Sequence, residues 1–153
     1  MKGPPTQLVR VATSRHWRAY HQIRREVLFD ARGRRGAYDE NHPDERLPGH
    51  HPLLLLADGQ PVGTVRLDDR SNGSGVVRPV AIVSNGQRQG LGSVLMSGLE
   101  RYAMVHGITR LEASVAPDAV GFYMRLGWSM HDNTRSNPMM VKSLSLALTH
   151  RNG

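Results

Sequence analysis

The chain has 153 residues, with 20 basic and 13 acidic side chains and a formal net charge of +7. This length favours one domain with one core, and the lack of cysteine excludes disulfides, thiolate metal sites and cysteine nucleophiles. The longest unbroken apolar run, Leu53 to Ala57, is far shorter than the roughly 20 residues of a membrane-spanning helix, and the first residues lead into no apolar signal segment. We therefore expect a cytoplasmic protein whose single domain spans 1–153, with flexible ends at 1–6 and 149–153.

The amino-terminal part of the chain predicts a strand, a helix and a long loop. A short strand is expected at 7–11. Ser14 is a typical cap for a helix that continues to about Phe29, because apolar residues recur there at helical spacing. Residues 30–52 are polar, rich in glycine and proline and without a periodic apolar pattern. Loops of this length inside compact domains are usually functional or disordered.

The middle of the chain predicts an antiparallel meander. Strands at 53–57 and 62–67 are joined by the Asp-Gly turn signal at 58–59. A β-branched run at 76–83 predicts the next strand. Because Pro79 cannot donate a hydrogen bond to a neighbouring strand, we expect a bulge or an unpaired edge at that position.

Helices and strands alternate in the second half. A helix is predicted at 91–106 with Gly107 after its end, a strand at 109–115, a short helix at 117–126 and a last strand at 139–148. A meander followed by this alternation is typical of an α/β (α+β) domain with a mixed, mostly antiparallel central sheet flanked by helices.

A glycine-containing loop precedes the second predicted helix. Its sequence, Gln-Arg-Gln-Gly-Leu-Gly at 87–92, lets the backbone approach a ligand, and the amides at the helix start suit an anion. A Walker A loop would need Lys directly after Gly90, where Leu91 stands, and the dinucleotide fingerprint would need a glycine in place of Leu95. A plain glycine turn without a ligand remains the alternative.

Two segments together resemble the GNAT acyltransferases. The first, residues 80–92, resembles that family's apolar strand, short loop and Gln/Arg-x-x-Gly-x-Gly/Ala helix start, and the second, residues 119–128, is similar to its Ala-x-x-Phe-Tyr-x-x-x-Gly-Phe element. The resemblance implies a three-layer GNAT domain in which the strand carrying Pro79 splays from its neighbour at the cofactor cleft. It also implies acetyl-CoA as the acyl donor, and direct attack of a primary amine on the thioester.

The resemblance assigns roles to individual residues. Tyr123 would protonate the leaving thiolate, and the backbone amide of Ile82 would donate to the acetyl carbonyl. Phe122 is more often packing than a cofactor contact. The expected cofactor-binding residues are Val80, Ala81, Ile82, Gln87, Arg88, Gln89, Gly90, Leu91, Gly92, Ser93 and Phe122.

Departures from the family pattern bear on the acceptor. Ala116 stands where many relatives carry Asn or Gln, and Leu111 stands where relatives that acetylate protein N-termini carry a glutamate base, while Glu112 would face the other way. A small-molecule amine or another amino group is therefore the expected acceptor, bound by acidic side chains of the long loop or by Asp68 and Asp69. The loop acids are Asp39, Glu40, Asp44 and Glu45.

Two other functions remain open at the level of sequence. A basic nucleic-acid-binding module would use Arg24, Arg25, Arg32, Arg34 and Arg35 against phosphates, although aromatic residues make up only 5% of the chain and no RNA-binding signature occurs. A GNAT domain without catalysis would only sense an acyl-CoA. We expect no metal site from the histidine spacing, no membrane partner and little affinity for nucleic acid; a homodimer is compatible with the family.

Overall fold

The computed structural model describes residues 5–86 and 90–145. The helices are α1 (Ser14–Arg24), α2 (Leu91–Val105) and α3 (Val120–Arg125). The strands are β1 (Thr6–Arg10), β2 (His50–Ala57), β3 (Gln60–Asp69), β4 (Ser74–Val77), β5 (Ala81–Ile82), β6 (Arg110–Ser114), β7 (Ser129–Asp132) and β8 (Met139–Ser143). A π-helical turn at Arg25–Phe29 continues α1, and short 3₁₀ turns include Pro43–Arg46.

The eight strands form one open, mostly antiparallel sheet in the order β1-β2-β3-β4-β6-β8-β7, with β5 pairing beside β4 on β3. Among the described strands, only β4 and β6 run parallel. This is the mixed α/β architecture that the sequence predicts.

Two apolar clusters cover the two faces of the sheet. On one face, Leu53, Val65 and Leu111 pack against the buried side of α2. On the other face, which we call the α1 face, Leu54 packs against Tyr20 and neighbouring apolar residues of α1. Adjacent leucines of β2 therefore enter different cores, as the alternation of side chains along a strand requires.

The first helix begins differently from its prediction. The cap is Thr13, whose side chain accepts a hydrogen bond from the His16 backbone N–H, and Ser14 is already helical. Both residues are typical caps, but only Thr13 has the extended backbone that a cap adopts. The predicted helix to Phe29 is continuous only when its final turn is counted as π-helical.

The predicted interruption at Pro79 is confirmed as a bulge between β4 and β5. Leu67 pairs with Val77 and Thr64 pairs with Ala81, so the bulged chain contains one residue more than β3 over this interval. This extra residue bends the strand away from its original course.

The strand boundaries at two other places correct the sequence prediction. β2 begins at His50, inside the predicted loop, and β7 lies where the sequence predicts no strand. β7 is short, with exposed or half-buried side chains, so its sequence lacks the alternation by which strands are recognised. The predicted last strand ends at Ser143, and its remainder from 146 onwards lies outside the described residues.

No helix in the described ranges, 5–86 and 90–145, is both long and apolar enough to cross a membrane.

Candidate active site

The sheet opens between β5 and β6. The pairing of β4 with β6 covers Ser74 to Val76, whereas β5 pairs with β3. The bulge lies directly after this pairing, so the bent strand and β6 diverge and leave a cleft. The splay that the family resemblance implies is therefore present.

One backbone amide in the bulge is unsatisfied. The N–H of Val80 has no hydrogen-bond partner among the described residues. The Val83 N–H donates to the Val62 carbonyl at 2.9 Å, and because alternate residues of a strand pair with the same neighbour, the Ile82 N–H lies on the edge away from β3. Among the described residues, the Val80 amide is therefore unpaired at the start of the cleft, and the oxyanion role expected of the Ile82 amide stays a prediction.

The start of α2 presents backbone amides that no side chain caps. Gly90 caps the helix with a φ of 77° and without a side-chain hydrogen bond. The amides of the first turn have no partner within the helix, and no Ser, Thr, Asp or Asn caps them, so they suit a phosphate group. Gln87, Arg88 and Gln89, which sequence reasoning places in the same site, lie outside the described residues.

Phe122 packs against this helix start. A Cβ added to Gly92 would lie 3.2 Å from the Phe122 ring, so a larger residue there would have to displace the ring. Leu91 is half-buried and Ser93 exposed, which leaves the beginning of α2 accessible from the cleft side.

The side chain of Ala81, another predicted cofactor residue of this strand, lies on the α1 face of the sheet and not on the face that packs against α2. It is 1% exposed and belongs to the apolar cluster of the α1 face. Only its backbone is therefore available for pairing, and that backbone pairs with Thr64 of β3.

Tyr123 lies below the cleft in a largely apolar setting. Its side chain is 8% exposed and packs edge-on against Trp128 at a centroid distance of 5.1 Å. Its hydroxyl makes no hydrogen bond to any described residue. Burial raises the pKa of this phenol above its ordinary value, so Tyr123 remains protonated at neutral pH.

The four acids of the long loop lie in four different environments. The Asp39 carboxylate accepts from the backbone of Asn41 at 2.9 Å. Glu40 pairs with Arg25 at 2.9 Å in an exposed ion pair. Asp44 lies 3.8 Å from a ring nitrogen of His42. The structure does not bring these acids together into one group.

Glu45 is the exception, because it is buried under the α1 face. It is 6% exposed, and one of its oxygens lies 3.3 Å from Arg24 and 3.4 Å from Arg66. The Tyr20 hydroxyl donates to the other oxygen at 2.9 Å. These contacts fix the 3₁₀ turn that carries Glu45 onto α1 and β3.

The same network continues along β3 to the bulge. Arg66 donates two hydrogen bonds to Asp68, at 2.8 and 3.0 Å, and Arg78 donates one at 2.8 Å. Although burial acts in the opposite direction, these hydrogen bonds hold the pKa of Asp68 below its usual value. Sequence reasoning noted Asp68 as a strand-end acid but not its arginine partners. Polar residues alternating with apolar residues along β3 were the available signal.

Two cavities border the α1 face. One of about 340 Å³ is lined by Trp17, His21 and Glu40, among others. The other, of about 590 Å³, lies between the π-helical turn and the residues after β5, with Glu26 and Val83 in its walls. The second cavity adjoins the strand that borders the cleft.

Leu111, at the strand position where relatives that acetylate protein N-termini carry a glutamate base, is not accessible from the cleft. Leu111 is completely buried in the α2 core, and Glu112 faces the opposite side, where it pairs with Arg70 at 3.1 Å and Arg110 at 3.4 Å. The orientation inferred from sequence alternation is confirmed for both residues.

The arginines considered for nucleic-acid binding do not form one exposed surface. Arg24 is 9% exposed and pairs with Glu45, Arg25 pairs with Glu40, and Arg34 lies over the Phe29 ring at 4.8 Å. A phosphate backbone would compete with partners that Arg24, Arg25 and Arg34 already have, whereas Arg32 and Arg35 are exposed.

A splayed sheet next to a helix whose first turn carries no side-chain cap is the architecture of an acyltransferase of the GNAT type. The chain belongs to the acetyltransferase (GNAT) family, whose model matches residues 16–128. This match includes both of the motifs on which the sequence resemblance depends.

Individual proteins agree with this assignment at the level of fold. The chain is similar to an acyl-CoA N-acyltransferase from Pseudomonas aeruginosa, with a TM-score of 0.76, 23% identity and coverage of 91% of this chain and 99% of that one. It is also similar to the PaiA N-acetyltransferase from Thermoplasma acidophilum, solved in complex with coenzyme A, with a TM-score of 0.71, 15% identity and coverage of 91% and 99%. In sequence, it is 28% identical over 102 residues to the uncharacterized protein YyaT of Bacillus subtilis (strain 168), covering 63% of this chain and 68% of YyaT.

Proposed function

We propose that the protein is an acetyl-CoA-dependent N-acetyltransferase that acts on a primary amine by direct attack. The observation that carries this proposal is the unpaired Val80 amide in the cleft, together with the uncapped start of α2. These are a donor for a carbonyl oxygen and a site for a phosphate, the two ends of the reactive arm of acetyl-CoA.

The residues present fit this cosubstrate. The backbone amides from Gly90 to Ser93 would bind the pyrophosphate, because a helix start favours negative charge. The edge of this strand that faces away from β3, beginning at Val80, would pair with the amide groups of the pantetheine arm as an added strand does. Acetyl-CoA supplies an activated thioester when it is bound.

The chemistry needs little more than alignment and charge stabilisation. The amine nitrogen forms a bond to the carbonyl carbon, the carbon–sulfur bond breaks, one proton leaves the amine, and the thiolate takes up one proton. The Val80 N–H, which lies on the same strand edge as the Ile82 amide expected from the family resemblance, would donate to the carbonyl oxygen as negative charge develops there. Holding both reactants in the cleft in the orientation for attack supplies the remaining rate acceleration.

Tyr123 is the proposed proton donor to the thiolate. An acid must carry its proton when it is needed, and burial keeps this phenol protonated. A hydroxyl without a partner among the described residues is also available to a leaving sulfur.

The acceptor would enter from the α1 face, between the long loop and the bulge. Of the loop acids, Asp39, Glu40 and Asp44 remain candidates for binding an ammonium group, whereas Glu45 is committed to Arg24 and Arg66. Neutralising the first three, with Glu45 left intact, should raise the acceptor KM about tenfold and leave the acetyl-CoA KM unchanged. A weaker acetyl-CoA interaction with an unchanged acceptor KM would instead place the loop over the cofactor.

The decisive experiment is a screen of amines with acetyl-CoA that reports free thiol. Amine-dependent release of thiol, with the acetylated amine identified by mass spectrometry, would support the proposal. Calorimetry with acetyl-CoA distinguishes an acetyltransferase from a domain that only senses acyl-CoA, because tight binding without turnover on any amine would indicate the latter.

A further inference from the structure

The ion-pair network under the α1 face contains one more guanidinium group than carboxylate groups. Two buried carboxylates, Glu45 and Asp68, face two buried guanidinium groups, Arg24 and Arg66. These four groups balance one another without further help. Arg78 adds a third guanidinium, so its charge is not required to neutralise the buried carboxylates.

Arg78 differs from the other two arginines in its exposure. Its side chain is 49% exposed, whereas that of Arg66 is 7% exposed. Its Nε donates to Asp68 at 2.8 Å, and its two terminal nitrogens have no partner within 5–86 and 90–145. Asp68 is itself fixed by Arg66, so the guanidinium of Arg78 is held in one orientation with its outer edge open.

The location of Arg78 connects this group to the cleft. Its backbone N–H donates to the Arg66 carbonyl at 2.8 Å, and it stands two residues before Val80 in the bulged segment. The side chain lies on the α1 face, while Tyr123 and α2 lie on the opposite face. An acceptor that approaches Val80 from the α1 face therefore passes the open edge of Arg78.

We propose that Arg78 is a specificity-determining residue that binds a carboxylate on the acceptor amine. The two terminal nitrogens of a guanidinium form a planar fork that matches a carboxylate, and Asp68 leaves that fork available. This inference rests on the proposed acetyltransferase activity and adds the class of acceptor, a molecule with both an amino group and a carboxylate.

The strand register sets the separation of these two groups. Asp68, which holds the guanidinium, pairs with Val76, and Thr64 pairs with Ala81, the residue after Val80. Because the intervening segment is bulged, the distance is taken along β3, where Asp68 and Thr64 are four residue steps apart, roughly 13 Å at about 3.3 Å per residue. The carboxylate and the reacting nitrogen are therefore separated by several bonds, as in an ω-amino acid, a lysine side chain or a short peptide. A free α-amino acid is too short.

The test uses ω-amino acids of increasing length. Glycine, γ-aminobutyrate and ε-aminocaproate are compared with their carboxamides as acceptors for the wild-type protein and for Arg78→Met. For the wild type, kcat/KM should be about tenfold or more higher for ε-aminocaproate than for its carboxamide, because a charge-assisted contact is lost in the latter. Arg78→Met should abolish this preference through KM, and Arg78→Lys should restore part of it.

Arg70→Met is the matched control. Arg70 is exposed to the same degree, 48%, and also contacts one carboxylate, that of Glu112. The preference should survive in Arg70→Met. Equal use of carboxylate and carboxamide by the wild type, or an equal loss for both probes in Arg78→Met, would overturn the inference.

A binding measurement keeps this result independent of the proposed chemistry. Without any cosubstrate, ε-aminocaproate should raise the Tm of the wild type more than its carboxamide does, and this difference should vanish in Arg78→Met. No difference in the wild type would count against the carboxylate site. Failure of acetyl-CoA to bind in calorimetry would instead reject the acetyltransferase proposal and leave the Tm comparison to decide the site.

Discussion

Glu45 should be the most costly single charge to remove from the long loop. The change Glu45→Gln keeps an oxygen for the Tyr20 hydroxyl but removes the negative charge between Arg24 and Arg66. Arg66 retains Asp68, whereas Arg24 is left without a carboxylate partner. The side chains of both arginines are at most 10% exposed, so water cannot easily replace the lost partner.

The expected loss in the free energy of unfolding is about 3–5 kcal/mol, the range for breaking a buried ion pair by removing one partner. Glu40→Gln is the control, because its pair with Arg25 is exposed, with side chains 40% and 52% accessible. That change should lower stability by about 1 kcal/mol or less.

Urea denaturation followed by tryptophan fluorescence measures both variants. Trp17 lies on α1, 5.7 Å from the Tyr20 ring, and Trp128 lies in the core under α2, so the two reporters test whether both faces unfold together. A loss below about 1 kcal/mol for Glu45→Gln, or an equal loss for Glu40→Gln, would show that the buried network does not anchor the loop.

Three further predictions concern the cleft and two partly buried histidines. Tyr123→Phe should lower turnover about 10- to 1000-fold in steady-state assays with unchanged acetyl-CoA affinity, and turnover within about twofold of wild type would assign Tyr123 to packing. Gly90→Glu should weaken acetyl-CoA binding about tenfold or more in calorimetry, whereas Gly107→Glu, equally strained at a φ of 79° but at the other end of α2, should not. Burial lowers the pKa of His21 and His51 below 6.5. The unfolded chain therefore takes up protons first as the pH falls, and the free energy of unfolding should decrease from pH 6.5 towards the folded-state pKa. A free energy of unfolding that does not change between about pH 7 and pH 5 in urea titrations would contradict this.

The order and type of most elements follow from local sequence. Alternation in β2 and β3, the Asp-Gly turn between them and the apolar stripe of α2 are signals that neighbouring residues carry by themselves. The turn is observed with φ values of 51° and 79° at Asp58 and Gly59, as a tight hairpin requires. Pro79 likewise predicted the bulge, because the missing N–H is a property of the residue and not of its surroundings.

The motifs also predict the cofactor side of the site from the amino-acid sequence alone. A glycine-containing loop before a helix and a Phe-Tyr pair before a glycine can be recognised in the sequence, because each motif acts through local backbone geometry. The family match over residues 16–128 agrees with that interpretation.

Only the tertiary structure separated the acids and arginines into different roles. Glu45 and Glu40 are equivalent in a polar loop sequence, yet one is buried between two arginines and the other is exposed. Arg24, Arg66 and Arg78 come from α1, β3 and the bulge, and their shared network depends on contacts between residues far apart in the chain. Burial and charge balance are properties of the folded arrangement, so residue type and spacing alone do not determine which charge remains open to a ligand.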